Sequence, residues 1–174
     1  AEQRVGITPN MEFTAIVLLR GGSKGIPHKN LRPMAGKPLF AWAIDEALAS
    51  NIFSTLYVSS EDNEIKDKVG SYYGDQVTVL DRPVSLATDD AGSDDVVCYH
   101  LPQLSGEVIT LIQATSPLTR RSHFQGARDK LICEKADSLL TVVRETSFLW
   151  NETGSPVNYD FRRRPMRQEF EGVL

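Results

Sequence analysis

The sequence has two cysteines and three histidines in 174 residues, and none of the spacings that usually build a site from them. Cys98 and Cys133 form no C-x-x-C pair and carry no histidine partner at zinc-ligand spacing, so a zinc module is excluded. They read instead as small buried hydrophobes of a reducing compartment. No apolar run approaches the roughly 18 residues of a membrane span. AEQRVGITPN at the start lacks a basic stretch followed by a hydrophobic one, so it does not read as a secretion signal. Net charge is only −4, which leaves no broad cationic surface for polymeric nucleic acid, though a local cationic pocket remains compatible with it. Neither G-x-x-x-x-G-K-[ST] nor G-x-G-x-x-G occurs, so the P-loop and the dinucleotide fingerprint are both absent.

Hydrophobic residues make up 41% and charged residues 24%, the balance of a soluble globular domain. Short β-rich runs alternate with longer helical patterns, which predicts βα units and a mainly parallel sheet. The expected strands are 14–19, 55–59, 76–80, 108–113 and 138–143, and the expected helices are 39–49, 64–73, 93–101 and 123–134. In the first helix Leu39, Trp42, Ala43, Ala47 and Leu48 lie near one face. Ser93 is placed to cap the third helix, with Asp94 and Asp95 in its first turn, where the helix dipole favours acids. Residues 1–12 read as an extension and 13–174 as a single domain, with the pattern weakening into polar and basic sequence after residue 151.

The densest chemistry is LRGGSKGIPHKN, residues 19–30, directly after the apolar AIVLL. A loop in that place sits at the carboxyl end of the sheet, where open α/β folds bind ligands. Gly21, Gly22 and Gly25 allow positive φ and close backbone approach to a phosphate, and Arg20, Lys24 and Lys29 supply cations. A glycine-rich turn with solvated lysines is the plainer alternative.

The whole stretch resembles the N-terminal signature of the sugar-activating cytidylyltransferases, most closely the CMP-N-acetylneuraminate synthetases. AGKPLFAWAIDEAL, YVSSEDNEI, RPVSLATDDAGSDDVV, LIQATSP, VVRETSFLW and RRRPMRQEFEG follow in the family's order, so the resemblance runs from about residue 13 to 174. It implies a three-layer α/β sandwich with a Rossmann-like sheet, of the nucleotide-diphospho-sugar transferase type. It also implies a reaction in which the 2-hydroxyl of a 2-keto-3-deoxy sugar acid attacks the α-phosphorus of CTP and releases pyrophosphate.

By match, Arg20, Gly21, Gly22, Ser23, Lys24 and Lys29 surround the triphosphate and Asn30 lies near the cytidine. Arg82 and Ser93 lie at the base or ribose, and Gln113, Thr115 and Ser116 orient the sugar. Arg167 contacts the acidic sugar or the phosphates, and Arg20, Lys29 and Arg167 are the residues expected to serve the chemistry directly. Taken without the resemblance, Arg82 reads as a surface arginine, Ser93 as a cap and LIQATSP as ordinary turn chemistry. Arg162, Arg163 and Arg164 read as a solvated basic face or a nuclear targeting signal, which leaves cytoplasm and nucleus both open.

The family implies Mg2+ and a homodimer or higher homo-oligomer. Its aspartate ligands follow a Y-x-N-G segment, and neither is in this sequence; Asp89 with Asp90 and Asp94 with Asp95 do not match that motif. The expectation is therefore a domain lacking its C-terminal part, with no metal ligand of its own. Transfer to 3-deoxy-manno-octulosonate, and a non-catalytic nucleotide-binding module, are the other readings.

Overall fold

A computed structural model describes residue 8, residues 10–166 and residues 169–173. Two compact units are present, Ala1–Asp137 and Ser138–Leu174. The first holds β1 (Phe13–Leu18), the two-residue strands β2 (Pro33–Met34) and β3 (Lys37–Pro38), α1 (Leu39–Ser50), β4 (Phe53–Ser60) and α2 (Asn63–Tyr73). It continues with β5 (Thr78–Asp81), α3 (Ser93–His100), β6 (Val108–Ile112) and α4 (Arg121–Cys133).

The main sheet has the order β5-β4-β1-β6 with every neighbour parallel. Alternation along β1 explains how a run as short as AIVLL is buried on both sides. Ala15, Val17 and Leu19 join one core with Phe40, Ile44, Ile65 and Val69, against which Phe124 of α4 packs. Ile16 joins Tyr57 and Leu80 on the other face, with Val97 of α3 packed there. Helices thus cover both faces, as the three-layer expectation required. From β1 the chain moves outward to β4 and β5, then returns past β1 to form β6 on its other side. The carboxyl ends of β1 and β6 therefore border a topological switch point, the standard ligand crevice of an open parallel sheet.

The structure corrects the sequence reading in several places. Residues 138–143 form no strand. Among the described residues the β pairing of the second unit is confined to the isolated bridges Glu145↔Val173 and Trp150↔Pro156. Leu140 is 83% exposed and Val143 87% exposed, so their β-propensity finds no ladder partner and no face to bury. The buried face of α1 includes Ala43 and Ala47 of the expected stripe, but its centre is Phe40, Ala41 and Ile44, and Leu39, Trp42 and Leu48 are only half-buried. Trp42 stays half-buried because its indole N–H donates to Met34 O at 3.0 Å, on the β2–β3 ribbon. Both cysteines are exposed, which removes the burial argument made from them.

Within the second unit, aromatic rings supply the order. Phe148 lies 4.6 Å from Tyr159 and 5.0 Å from Phe170, ring centre to ring centre, and the Arg164 guanidinium sits 4.6 Å above Phe148. Asn158 ties the turn through Leu149 N–H and Ser147 O.

Candidate functional site

The glycine loop leaves β1 in the expected place but is built in a different way. Gly21, Gly22 and Gly25 do not have positive φ; the left-handed residue of the segment is His28, at φ 52°. Gly21 is required for a steric reason, because a Cβ there would fall onto Asp62, 2.8 Å from that residue's Cβ. Asp62 is fixed in turn, since its Oδ1 accepts the Ile65 N–H at 3.1 Å and caps α2. Lys29–Leu31 forms a single 3-10 turn, and the buried Asn30 donates its side-chain amide to Arg20 O at 2.9 Å, closing the loop on its own start.

Under the loop lies a buried polar brace. Glu61, immediately after β4, accepts the Gly21 N–H at 2.7 Å with Oε1 and Arg82 Nη2 at 2.7 Å with Oε2. The Arg82 side chain is only 4% exposed, and its Nε has no hydrogen-bond partner among the described residues. A neighbouring imidazole, His100, is fully buried with Nε2 2.9 Å from Ser59 Oγ. Burial and the Arg82 charge push its pKa below the ordinary histidine value, so it is held neutral.

A cleft of about 250 Å³ opens at the switch point. Arg20, Lys29 and Asn30 line it from the loop after β1, Arg82 from the end of β5, Ser93 from the start of α3, and Gln113 and Thr115 from the turn after β6. Four separate segments thus bring most of the expected residues to one place. Gly22, Ser23 and Lys24 line an adjoining hollow of about 270 Å³ with Thr88 and Asp89, and Thr88 borders both.

Two expected residues stand differently. Ser93 is the first residue of α3 and does not cap it; the cap position is Gly92, whose N–H donates to Asp95 Oδ2 at 3.2 Å. Its hydroxyl is thereby left out of the capping role. Ser116 is exposed and outside the cleft lining, its N–H closing a turn onto Gln113 O at 3.1 Å. Arg167 lies outside the described residues. Arg162 and Arg163 belong to a 3-10 turn of the second unit, where Asp160 accepts the Arg162 N–H at 2.9 Å.

Arg20 and Lys24 are already engaged. Asp89 Oδ1 meets Arg20 Nη2 at 2.8 Å and its Oδ2 meets Lys24 Nζ, while Arg20 Nη1 also donates to Thr88 O at 3.0 Å. The hydrogen bond from Lys24, then that from Arg20, holds the Asp89 carboxyl below the usual carboxylate range. An anion brought into this hollow meets cations that already hold one carboxylate.

The sequence matches the cytidylyltransferase family model over residues 14–159. The chain belongs to the cytidylyltransferase family. It is similar to the N-acylneuraminate cytidylyltransferase A of Danio rerio, 36% identical over 93% of this chain and 39% of the relative. It is also similar to the pseudaminic acid cytidylyltransferase of Campylobacter jejuni, 30% identical over 91% of this chain and 72% of the relative. Among solved structures, CMP:2-keto-3-deoxy-manno-octonic acid synthetase complexed with CTP matches at a TM-score of 0.62 and 18% identity, covering 72% of this chain and 49% of that one, which is a likeness of fold. The chain thus spans about two fifths of the length of the first curated relatives it matches.

Family membership directs attention to metal. Among the described residues no group of three or more His, Cys, Asp and Glu side chains gathers to hold an ion. Of the carboxylates described above in the first unit, Asp89 is paired with Arg20 and Lys24, Glu61 with Arg82 and Gly21 N–H, and Asp62 and Asp95 accept the N–H groups of Ile65 and Gly92. A hard divalent cation needs several free oxygens, and this donor set does not fit one. Sequence alone does not point to Glu61, Thr88 or His100, and it offers Asp89 only as a carboxylate that does not match the metal motif. A signal for Glu61 is present in the sequence: an acid in SSED at the carboxyl end of a parallel strand, the end of the sheet where ligands bind.

Proposed function

We propose that this cytidylyltransferase-family chain binds CTP in the switch-point cleft and serves transfer of the CMP group to a 2-keto-3-deoxy sugar acid of the N-acylneuraminate type. The observation that carries the reading is the convergence of Arg20 and Lys29, Arg82, Ser93, and Gln113 with Thr115 on one cleft from four separate segments. Cations at one end suit a triphosphate, and the amide and hydroxyl groups after β6 suit a polyhydroxy acid.

The sugar's hydroxyl gives up its proton to water as its oxygen forms a bond to the α-phosphorus, the bond from that phosphorus to the α,β-bridging oxygen breaks, and pyrophosphate leaves with that oxygen. This chemistry depends on alignment and on neutralising charge, so no covalent intermediate on the protein is required. Arg20 and Lys24 orient the phosphates once Asp89 gives them up, and Lys29 adds a third cation. Arg82 is assigned to the base, because its Nε is a buried donor without a partner among the described residues and a nucleobase carbonyl would satisfy it. Arg167 is assigned to the sugar carboxylate, and a homodimer working inside the cell belongs to the same reading.

The pseudaminic acid and 2-keto-3-deoxy-octonic acid enzymes among the similar proteins keep other keto-sugar acids, including 3-deoxy-manno-octulosonate, as the second reading. The test is calorimetry with CTP, UTP, GTP and ATP, followed by assays for CMP-sugar with each keto acid. Preference for CTP and product from N-acetylneuraminate support the proposal. Equal binding of all four nucleotides refutes it, and tight CTP binding without any product points to a binding module.

A further inference from the structure

The Glu61 carboxylate is a largely buried acid whose two oxygens hold two different segments beside the cleft. Oε1 holds the N–H of Gly21, the first glycine of the loop; Oε2 holds Nη2 of Arg82, in the segment after β5. These partners are 61 residues apart in the chain, and Glu61 lies between them at the end of β4. Its side chain is 12% exposed and that of Arg82 is 4% exposed, so neither charge has water enough to be satisfied without the other. Arg82 N–H also donates to Ser60 O at 3.1 Å, which fixes the arginine's backbone to the residue before Glu61.

Geometry of this kind does more than stabilise. The Arg82 side chain lines the cleft, and with Nη2 given to Glu61 its guanidinium plane is fixed, leaving Nε as a buried donor without a partner among the described residues. Gly21 in turn sets where Gly22, Ser23 and Lys24 begin, and it cannot retreat toward α2, because Asp62 already fills that side. The loop and the arginine thus share one hydrogen-bonding carboxylate.

We infer that Glu61 is a positioning residue that couples the two ends of the nucleotide site, holding the glycine loop for phosphate and the Arg82 guanidinium for the nucleobase as one unit. The inference rests on the proposed nucleotide reading. Its consequence is that base selection and triphosphate binding are linked: a defect at Glu61 degrades both, although the residue is assigned contact with neither.

Two probes isolate the two ends, cytidine for the base and inorganic tripolyphosphate for the loop. Glu61→Gln keeps the shape and one acceptor for Gly21 but presents an amide N–H2 to Arg82, donor against donor. Calorimetry is expected to show both probes weakened about tenfold or more, and the CTP preference over UTP reduced. Glu61→Gln combined with Arg82→Ala should lose less cytidine affinity than the sum of the single losses, since the two act as one pair. Tyr73→Phe removes a half-buried hydrogen bond to Asp45 away from the cleft and serves as the control for stability alone, with binding unchanged.

A Glu61→Gln protein that melts earlier yet binds both probes normally overturns the inference, and so do strictly additive losses. Should Glu61→Gln not fold, Glu61→Asp decides, with a smaller loss at both ends expected and a loss at one end only overturning it. Wild-type protein that binds neither probe nor CTP defeats the nucleotide reading itself, whereas normal wild-type binding with an indifferent Glu61→Gln defeats the coupling alone.

Discussion

The two units differ in what orders them. In Ala1–Asp137 a parallel sheet with a core on each face fixes the carboxyl ends of the strands, so polar side chains can be committed to buried pairs such as Glu61 with Arg82. In Ser138–Leu174 the order comes from ring contacts, short turns and isolated bridges, and Arg144, Arg162, Arg163 and Arg164 are exposed. A buried ion pair and a surface cation over a ring are very different commitments, and the contrast says where substitutions do harm. The first unit carries a candidate site that depends on its core, and the second displays its described arginines at the surface.

The sharpest way to break that contrast is to remove one arginine from each region. Arg82→Ala strands Glu61 without its counter-charge and is expected to cost about 3–5 kcal/mol in denaturant unfolding, together with lost discrimination between CTP and UTP. Arg164→Ala loses only a cation over Phe148 and should cost about 0.5–1 kcal/mol. Equal costs would erase the distinction.

Next in size is the loss of an outer-phosphate contact. Lys29→Ala should weaken CTP by about 1.5–3 kcal/mol and CMP far less, as comparative calorimetry would show. Equal losses for the two nucleotides would remove Lys29 from the phosphates. A smaller effect of opposite sign is expected at Asp89, which pairs with Arg20 and Lys24 before any ligand arrives. Asp89→Asn should raise triphosphate affinity a few-fold at low salt and less at high salt. A variant that binds CTP more weakly would show that Asp89 helps to hold the ligand.

The smallest expected effect is on pH. His100 is held neutral by burial and by the Arg82 charge, so its folded pKa lies below the unfolded value of 6.5. Its contribution to stability is intact above that value and is lost as pH falls below it, because the unfolded chain gains the proton first. His100→Gln should flatten this part of the stability profile, and an unchanged profile would contradict the assignment.

Much of the first unit was legible in advance because periodicity reports burial directly. AIVLL could only be an inner strand, and the loop after it could only lie at the sheet's carboxyl end. What the sequence concealed was pairing. Nothing in SSED or DRPVS says that Glu61 and Arg82 meet, since that depends on β4 and β5 lying side by side with Ser60 opposite Asp81. Nor does AGSD say that Gly92 takes the cap position in place of Ser93, a choice made by backbone geometry at the helix entry. The run SLLTVV misled because strand propensity needs a partner, and no described segment pairs with it.

The central claim is that nucleotide binds at the switch-point cleft of the first unit, and backbone amide shifts on titration with CTP test it most directly. The account predicts saturable shifts in residues 20–30, at Arg82, around Gly92 and Ser93, and at Gln113 to Thr115, with those of Phe148, Tyr159 and Arg164 nearly still. No saturable change in the loop, or changes confined to residues 138–173, would contradict it.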